Sequence, residues 1–128
     1  MGFKSILVIE DSEPDQFLCK FVIEEFDPKI EVIQAYDGQQ ALDILKDRSE
    51  TPPDIIFVDI NMPRMGGFGF LDAYHSQSGS IQSTVIMLTS SSQKKDKEKA
   101  SNYNYVKDYI DKPLRQEHLE QLANLIES

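Results

Sequence analysis

The sequence predicts a doubly wound α/β fold: a five-stranded parallel sheet in the order 2-1-3-4-5, with helices on both faces. Three observations lead there. Short runs such as "SILVI" are apolar without interruption, as strands covered on both faces of a parallel sheet are. Helical periodicities separate these runs from end to end, and right-handed crossovers leave few topologies for such an alternation. Strand-end carboxylates then fall at one edge, where ligands of this architecture bind.

Each element follows from its residues. "SILVI" (5–9) is the first strand. In "EPDQFLCKFVIEEF" (13–26), Phe17, Leu18, Phe21, Val22 and Phe26 recur at helical spacing as an apolar face. Cys19 lies among them as a small packing residue, Ser12 is a suitable N-cap, and Pro14 fits the first turn. "IEVIQAY" (30–36) is the second strand. "GQQALDILKDR" (38–48) is the second helix, with Ala41, Leu42 and Leu45 on one face and Asp37 as cap. Pro52-Pro53 break the chain before "DIIFVDI" (54–60), the third strand, whose Asp54 reads as a solvated start. A turn-rich segment from Met62 to Gly67 leads into a helix around 67–76. "STVIMLT" (83–89) is the fourth strand, and "SSSQKKDKEKASNY" (90–103) a charged helix with serines at its start. "VKDYI" (106–110) is the fifth strand. "LRQEHLEQLANLI" (114–126) closes the fold, with Leu119, Leu122, Leu125 and Ile126 at helical spacing.

No repeat or linker divides the 128 residues, so residues 1–128 are expected to be one domain without an output domain. The net charge of −9, from 22 acids against 13 bases, disfavours direct nucleic-acid binding. "KKDKEK" interleaves both signs and reads as a solvated helix face. No apolar run is long enough to span a bilayer, and the start lacks a signal-peptide cleavage site, so a cytoplasmic location is expected. A single cysteine excludes an intrachain disulfide.

Four strands end in residues able to do chemistry. The first ends at Glu10-Asp11, the third at Asp59, the fourth at Thr89-Ser90 and the fifth at Asp111-Lys112-Pro113. Each alone is an ordinary cap, turn or loop signal; together, in one topology, they converge. Glu10, Asp11 and Asp59 at close range repel one another, and a divalent cation relieves that conflict. Mg²⁺ suits carboxylate oxygens, with a backbone oxygen from about Asn61 to complete its shell. A carboxylate-held metal opposite a lysine and a hydroxyl points to phosphoryl transfer. Asp59 fits the nucleophile, Lys112 the partner of the incoming phosphoryl oxygens, and Thr89 a hydroxyl donor.

Glu10-Asp11 after "ILVI", Asp59 in "FVDINMPRMGG", Thr89 in "VIMLTSS" and Lys112-Pro113 in "DYIDKP" together resemble the receiver domain of two-component response regulators, over the whole chain and at the family's spacings. The resemblance implies a stand-alone receiver of flavodoxin-like fold. Asp59 is then the phosphoacceptor, served by a histidine kinase or a histidine phosphotransfer protein. Glu10, Asp11, Asp59 and the Asn61 backbone oxygen are its Mg²⁺ ligands. Thr89 and Tyr109 are its switch pair. The fourth helix, fifth strand and fifth helix, about 92–127, are its readout face toward a downstream partner or relay. A monomer or a phosphorylation-dependent dimer fits that role, as does self-phosphorylation and autodephosphorylation without metabolic turnover. Glu10 stands where aspartate is frequent, and Gly66 where an acid often precedes the loop glycine. Asn102 or Asn104 is expected to take a left-handed cap before the fifth strand. His75 and His118 read as surface or packing residues.

Two other readings share the fold. A Mg²⁺-dependent aspartyl-phosphate phosphatase needs a second acid two residues after its nucleophile, and Asn61 stands there. A flavin module needs a phosphate loop after the first strand, and "EDSEPD" repels phosphate.

Overall fold

The computed structural model of the chain describes residues 2–62, 65–78, 82–90 and 93–127. Its strands are β1 (Ser5–Ile9), β2 (Glu31–Ala35), β3 (Ile55–Val58), β4 (Thr84–Thr89) and β5 (Val106–Asp111). Its helices are α1 (Glu13–Phe26), α2 (Gly38–Asp47), α3 (Gly67–Ser78), α4 (Lys94–Ser101) and α5 (Gln116–Glu127). The strands form one parallel sheet in the order β2-β1-β3-β4-β5, as the sequence predicts.

Alternation along each strand divides the core in two. Leu7, Ile9, Ile56, Val58, Val85 and Met87 pack under α2, α3 and α4. Ile6, Val8, Ile55, Phe57, Ile86 and Leu88 pack under α1 and α5 with Ile23, Leu119 and Leu122. The three central strands are buried on both sides, which is why they read as unbroken apolar runs. The helix starts follow ordinary capping. Ser12 Oγ accepts the Asp15 N–H at 3.4 Å, and Asp37 Oδ1 accepts the Gln40 N–H at 2.8 Å.

Several local expectations give way to packing. On α1 the buried positions are Gln16, Cys19 and Ile23, whereas Phe17, Leu18 and Phe21 are 68%, 48% and 54% exposed. The helix carries apolar residues on two adjoining sides, and only one can meet the sheet. Leu125 is likewise exposed on α5, and the Ile126 side chain lies outside the described residues. α4 is shorter than the expected 90–103: it begins after Gln93, and Ser91 and Ser92 lie outside the described residues. Asn102, one of the two asparagines expected to take a left-handed cap, stays right-handed at φ −78°, ψ −12°. A right-handed residue satisfies the helix end here, because the Asn102 and Tyr103 N–H groups reach back to Lys99 and Ala100 at 3.1 Å. His75 stacks on Tyr105 with ring centres 5.8 Å apart, and His118 Nδ1 accepts the Arg115 N–H at 3.0 Å. Both histidines are packing or capping groups, as expected.

Candidate functional site at the carboxyl edge of the sheet

Backbone register brings the strand ends together. Ile9 pairs with Val58, and the Asp59 N–H donates to the Ile9 carbonyl at 3.1 Å, so Glu10, Asp11 and Asp59 leave the sheet side by side. The three acids each offer an oxygen within 4.8 Å of the others. Glu10 and Asp59 are only 3% and 5% exposed, while Asp11 faces solvent.

Lys112 reaches this group from the far side of the sheet. Its N–H donates to the Thr89 carbonyl at 3.0 Å, which seats it just beyond β5. Its ammonium donates to Glu10 Oε1 and to Asp15 Oδ2 at 2.8 Å, and stands 3.5 Å from Asp59 Oδ2. Burial works against the charged ammonium, but the bonds to Asp15 and Glu10 and the Asp59 charge outweigh it and raise its pKa. Burial raises the Glu10 pKa above the ordinary carboxyl range; Lys112 and the Ser12 N–H, at 2.9 Å, oppose that rise, and Asp59 adds to it.

The other candidates take distinct places. Thr89 is fully buried at the end of β4, opposite Asp111. Tyr109 lies two residues back from that edge, half-buried opposite Met87, with Lys97 Nζ 6.0 Å from its ring centre. Asn61 is exposed in the loop past Asp59. The Gly67 N–H donates to the Ile60 carbonyl at 2.9 Å and folds this loop back. That approach requires glycine, because a Cβ at Gly67 would lie 2.4 Å from the Asp59 carbonyl oxygen.

Two residues of the site escape a sequence reading. Asp15, in the first turn of α1, supplies a fourth carboxylate. Gln16 is buried, and its amide nitrogen lies 3.0, 3.1 and 2.8 Å from the carbonyls of Val8, Glu10 and Ala35, fastening the ends of β1 and β2. A polar residue in line with Cys19 and Ile23 was the available signal for Gln16.

The donor chemistry fits a hard divalent cation. All three clustered ligands are carboxylates, and Asp59 Oδ1 is buried with no hydrogen-bond partner among the described residues. An orphaned buried oxygen beside two further acids is what a Mg²⁺ ion satisfies.

Known proteins point the same way. Residues 6–124 match the sequence profile of the response regulator receiver domain. A probable chemotaxis protein CheY of Rhizobium etli is 29% identical over 66% of the chain, which spans 62% of that relative's length. The protein PilG of Pseudomonas aeruginosa is 33% identical over 89% of the chain and 80% of its own length. The crystal structure of a two-component response regulator from Cytophaga hutchinsonii superposes with a TM-score of 0.88, at 30% identity and 98% coverage of both chains. No helix among the described residues is long and apolar enough to cross a membrane.

Proposed function

The chain belongs to the response regulator receiver domain family, and on that premise we propose that it is a signalling switch driven by phosphorylation of Asp59. A histidine kinase or histidine phosphotransfer protein supplies the phosphoryl group. An Asp59 oxygen attacks the phosphorus of the donor's phosphohistidine. The new P–O bond forms as the P–N bond breaks, and the departing imidazole keeps the electron pair and takes up a proton from solvent. Later, water attacks the phosphorus and the acyl phosphate P–O bond breaks. Asp59 returns as a carboxylate, and inorganic phosphate leaves with the water's oxygen.

Glu10, Asp11, Asp59 and the Asn61 backbone oxygen would hold Mg²⁺, which when bound offsets the repulsion of the acids and the charge of the phosphoryl oxygens. The Lys112 ammonium pairs with one phosphoryl oxygen, and the Thr89 hydroxyl donates to another. Movement of Thr89, followed by Tyr109, carries the change to α4, β5 and α5, where a downstream partner docks or a relay continues. In this reading residues 1–128 signal by docking, in the cytoplasm. The exposed Phe17, Leu18 and Phe21 on α1, the helix that begins at the site, suit a protein donor.

One observation carries the reading. Asp59 is a buried carboxylate with an unpartnered oxygen, two acids within metal-sharing range and an ammonium at 3.5 Å. Incubation with acetyl phosphate and Mg²⁺, followed by intact mass, tests it. The parent should gain the mass of one phosphoryl group, and Asp59→Asn should gain none. Equal labelling of both, or none of the parent, contradicts the proposal.

A further inference from the structure

The ammonium of Lys112 has three N–H bonds and three carboxylates around it, and these acceptors are not alike. Glu10 is almost wholly buried, so losing the lysine would strand its charge away from water. Asp59 lies at 3.5 Å, beyond the 2.7–2.9 Å or so of a strong charge-assisted hydrogen bond. Asp15 binds Lys112 at 2.8 Å, yet its side chain keeps 35% of its exposure. Water can therefore replace the lysine at Asp15 with little penalty, which is not so at Glu10. Asp15 is also held in place. It sits in the first turn of α1, and its N–H is bonded to the capping Ser12 hydroxyl.

We propose that Asp15 is a positioning residue that parks the Lys112 ammonium on the α1 side of the site, and that it competes with a phosphoryl group on Asp59 for that ammonium. The inference rests on the phosphoacceptor reading above and deepens it. A phosphoryl group at Asp59 brings new anionic oxygens within reach of Lys112. The lysine leaves its exposed partner for them and keeps its buried one. Asp15 thus sets the balance between the resting and phosphorylated forms, without touching the phosphoryl group. Relief of the competition strengthens the Lys112 contact, so loss of Asp15 favours the phosphorylated arrangement. A residue needed only for the fold would do the reverse when removed.

Titration calorimetry with beryllium fluoride, a phosphoryl mimic, at saturating Mg²⁺ tests this. Asp15→Asn should tighten binding roughly fivefold, the worth of one partly exposed ion pair. Asp15→Glu, which keeps an acceptor for the lysine, should stay close to the parent. Glu13→Gln removes an exposed acid from the same helical turn and should change little. Unchanged or weaker binding by Asp15→Asn overturns the inference. So does equal tightening by Glu13→Gln, which would reduce the effect to general charge. A parent that binds beryllium fluoride while Asp15→Asn shows no gain refutes the role of Asp15 alone. A parent that neither binds it nor takes label at Asp59 refutes the phosphoacceptor reading, and this inference with it.

Discussion

Asp54 and Asp59 frame the same strand, and their surroundings are opposite. Asp54 stands at the amino end, exposed, and its Oδ2 accepts the N–H groups of Lys4 at 2.6 Å and Ser5 at 3.2 Å. Asp59 stands at the carboxyl end, buried, with Oδ1 unpartnered among the described residues and further acids beside it. Asp54 is a clamp: its charge meets free backbone donors at the start of β1 and ties β1 to β3. Asp59 has the Lys112 ammonium at 3.5 Å on Oδ2 and two further acids in range of one shared cation, so its unused Oδ1 is open to a metal ion. A carboxylate with its lone pairs satisfied contributes to the fold. One buried with a lone pair unused contributes to function at the expense of stability.

Variants can break or sharpen that contrast. The largest effect is expected from Asp59→Asn, which abolishes labelling by acetyl phosphate. Without metal it also stabilises the protein by about 1 kcal/mol in urea denaturation, because it removes a buried repulsion. Destabilisation by this variant would make Asp59 a structural acid like Asp54. Gly67→Ala disturbs only the functional end. Its new Cβ would meet the Asp59 carbonyl oxygen at 2.4 Å and the Ile60 Cα at 3.0 Å. A loss of about 2–3 kcal/mol, with slower labelling, is expected. Asp54→Ala is the converse: a loss of about 1 kcal/mol and an unchanged labelling rate, measured on the folded protein.

Two smaller effects separate the ends further. Mg²⁺ should raise the melting temperature of the parent and of Asp54→Ala, but much less that of Asp59→Asn. Glu10 supplies a pH signature. Its folded-state pKa lies above the ordinary 4.5, so the folded protein retains a proton that the unfolded chain gives up. The stability linked to Glu10 is therefore full below about pH 4.5 and lost as pH rises through the folded value. Glu10→Gln should flatten that decline in metal-free buffer, and an unaltered pH profile would remove Glu10 from the account.

The fold was legible because its signals are redundant. The central strands are unbroken apolar runs, and a misplaced boundary, such as 54–60 for Ile55–Val58, leaves the order of the sheet intact. The clustering of Glu10, Asp11, Asp59 and Lys112 was legible because strand ends carry them and topology gathers strand ends. What escaped depends on tertiary choice. Phe17, Leu18 and Phe21 are as apolar as any core residue, and only the packing of Cys19 and Ile23 against the sheet turns them outward. Asp15 meets Lys112 across 97 residues of sequence, with no periodicity to mark it. The extent of α4 depends on which carbonyls its ends can reach, and a charged, serine-led sequence leaves that open.

The most direct test asks which aspartate takes the phosphoryl group. Protein labelled with acetyl phosphate and Mg²⁺ is treated with borohydride, which reduces an acyl phosphate to the alcohol, and then sequenced by peptide mass spectrometry. Homoserine in place of Asp59, with Asp54 intact in the same peptide, is the result expected here. Homoserine at position 54, or at neither, would contradict the assignment of the chemistry to the carboxyl end of β3.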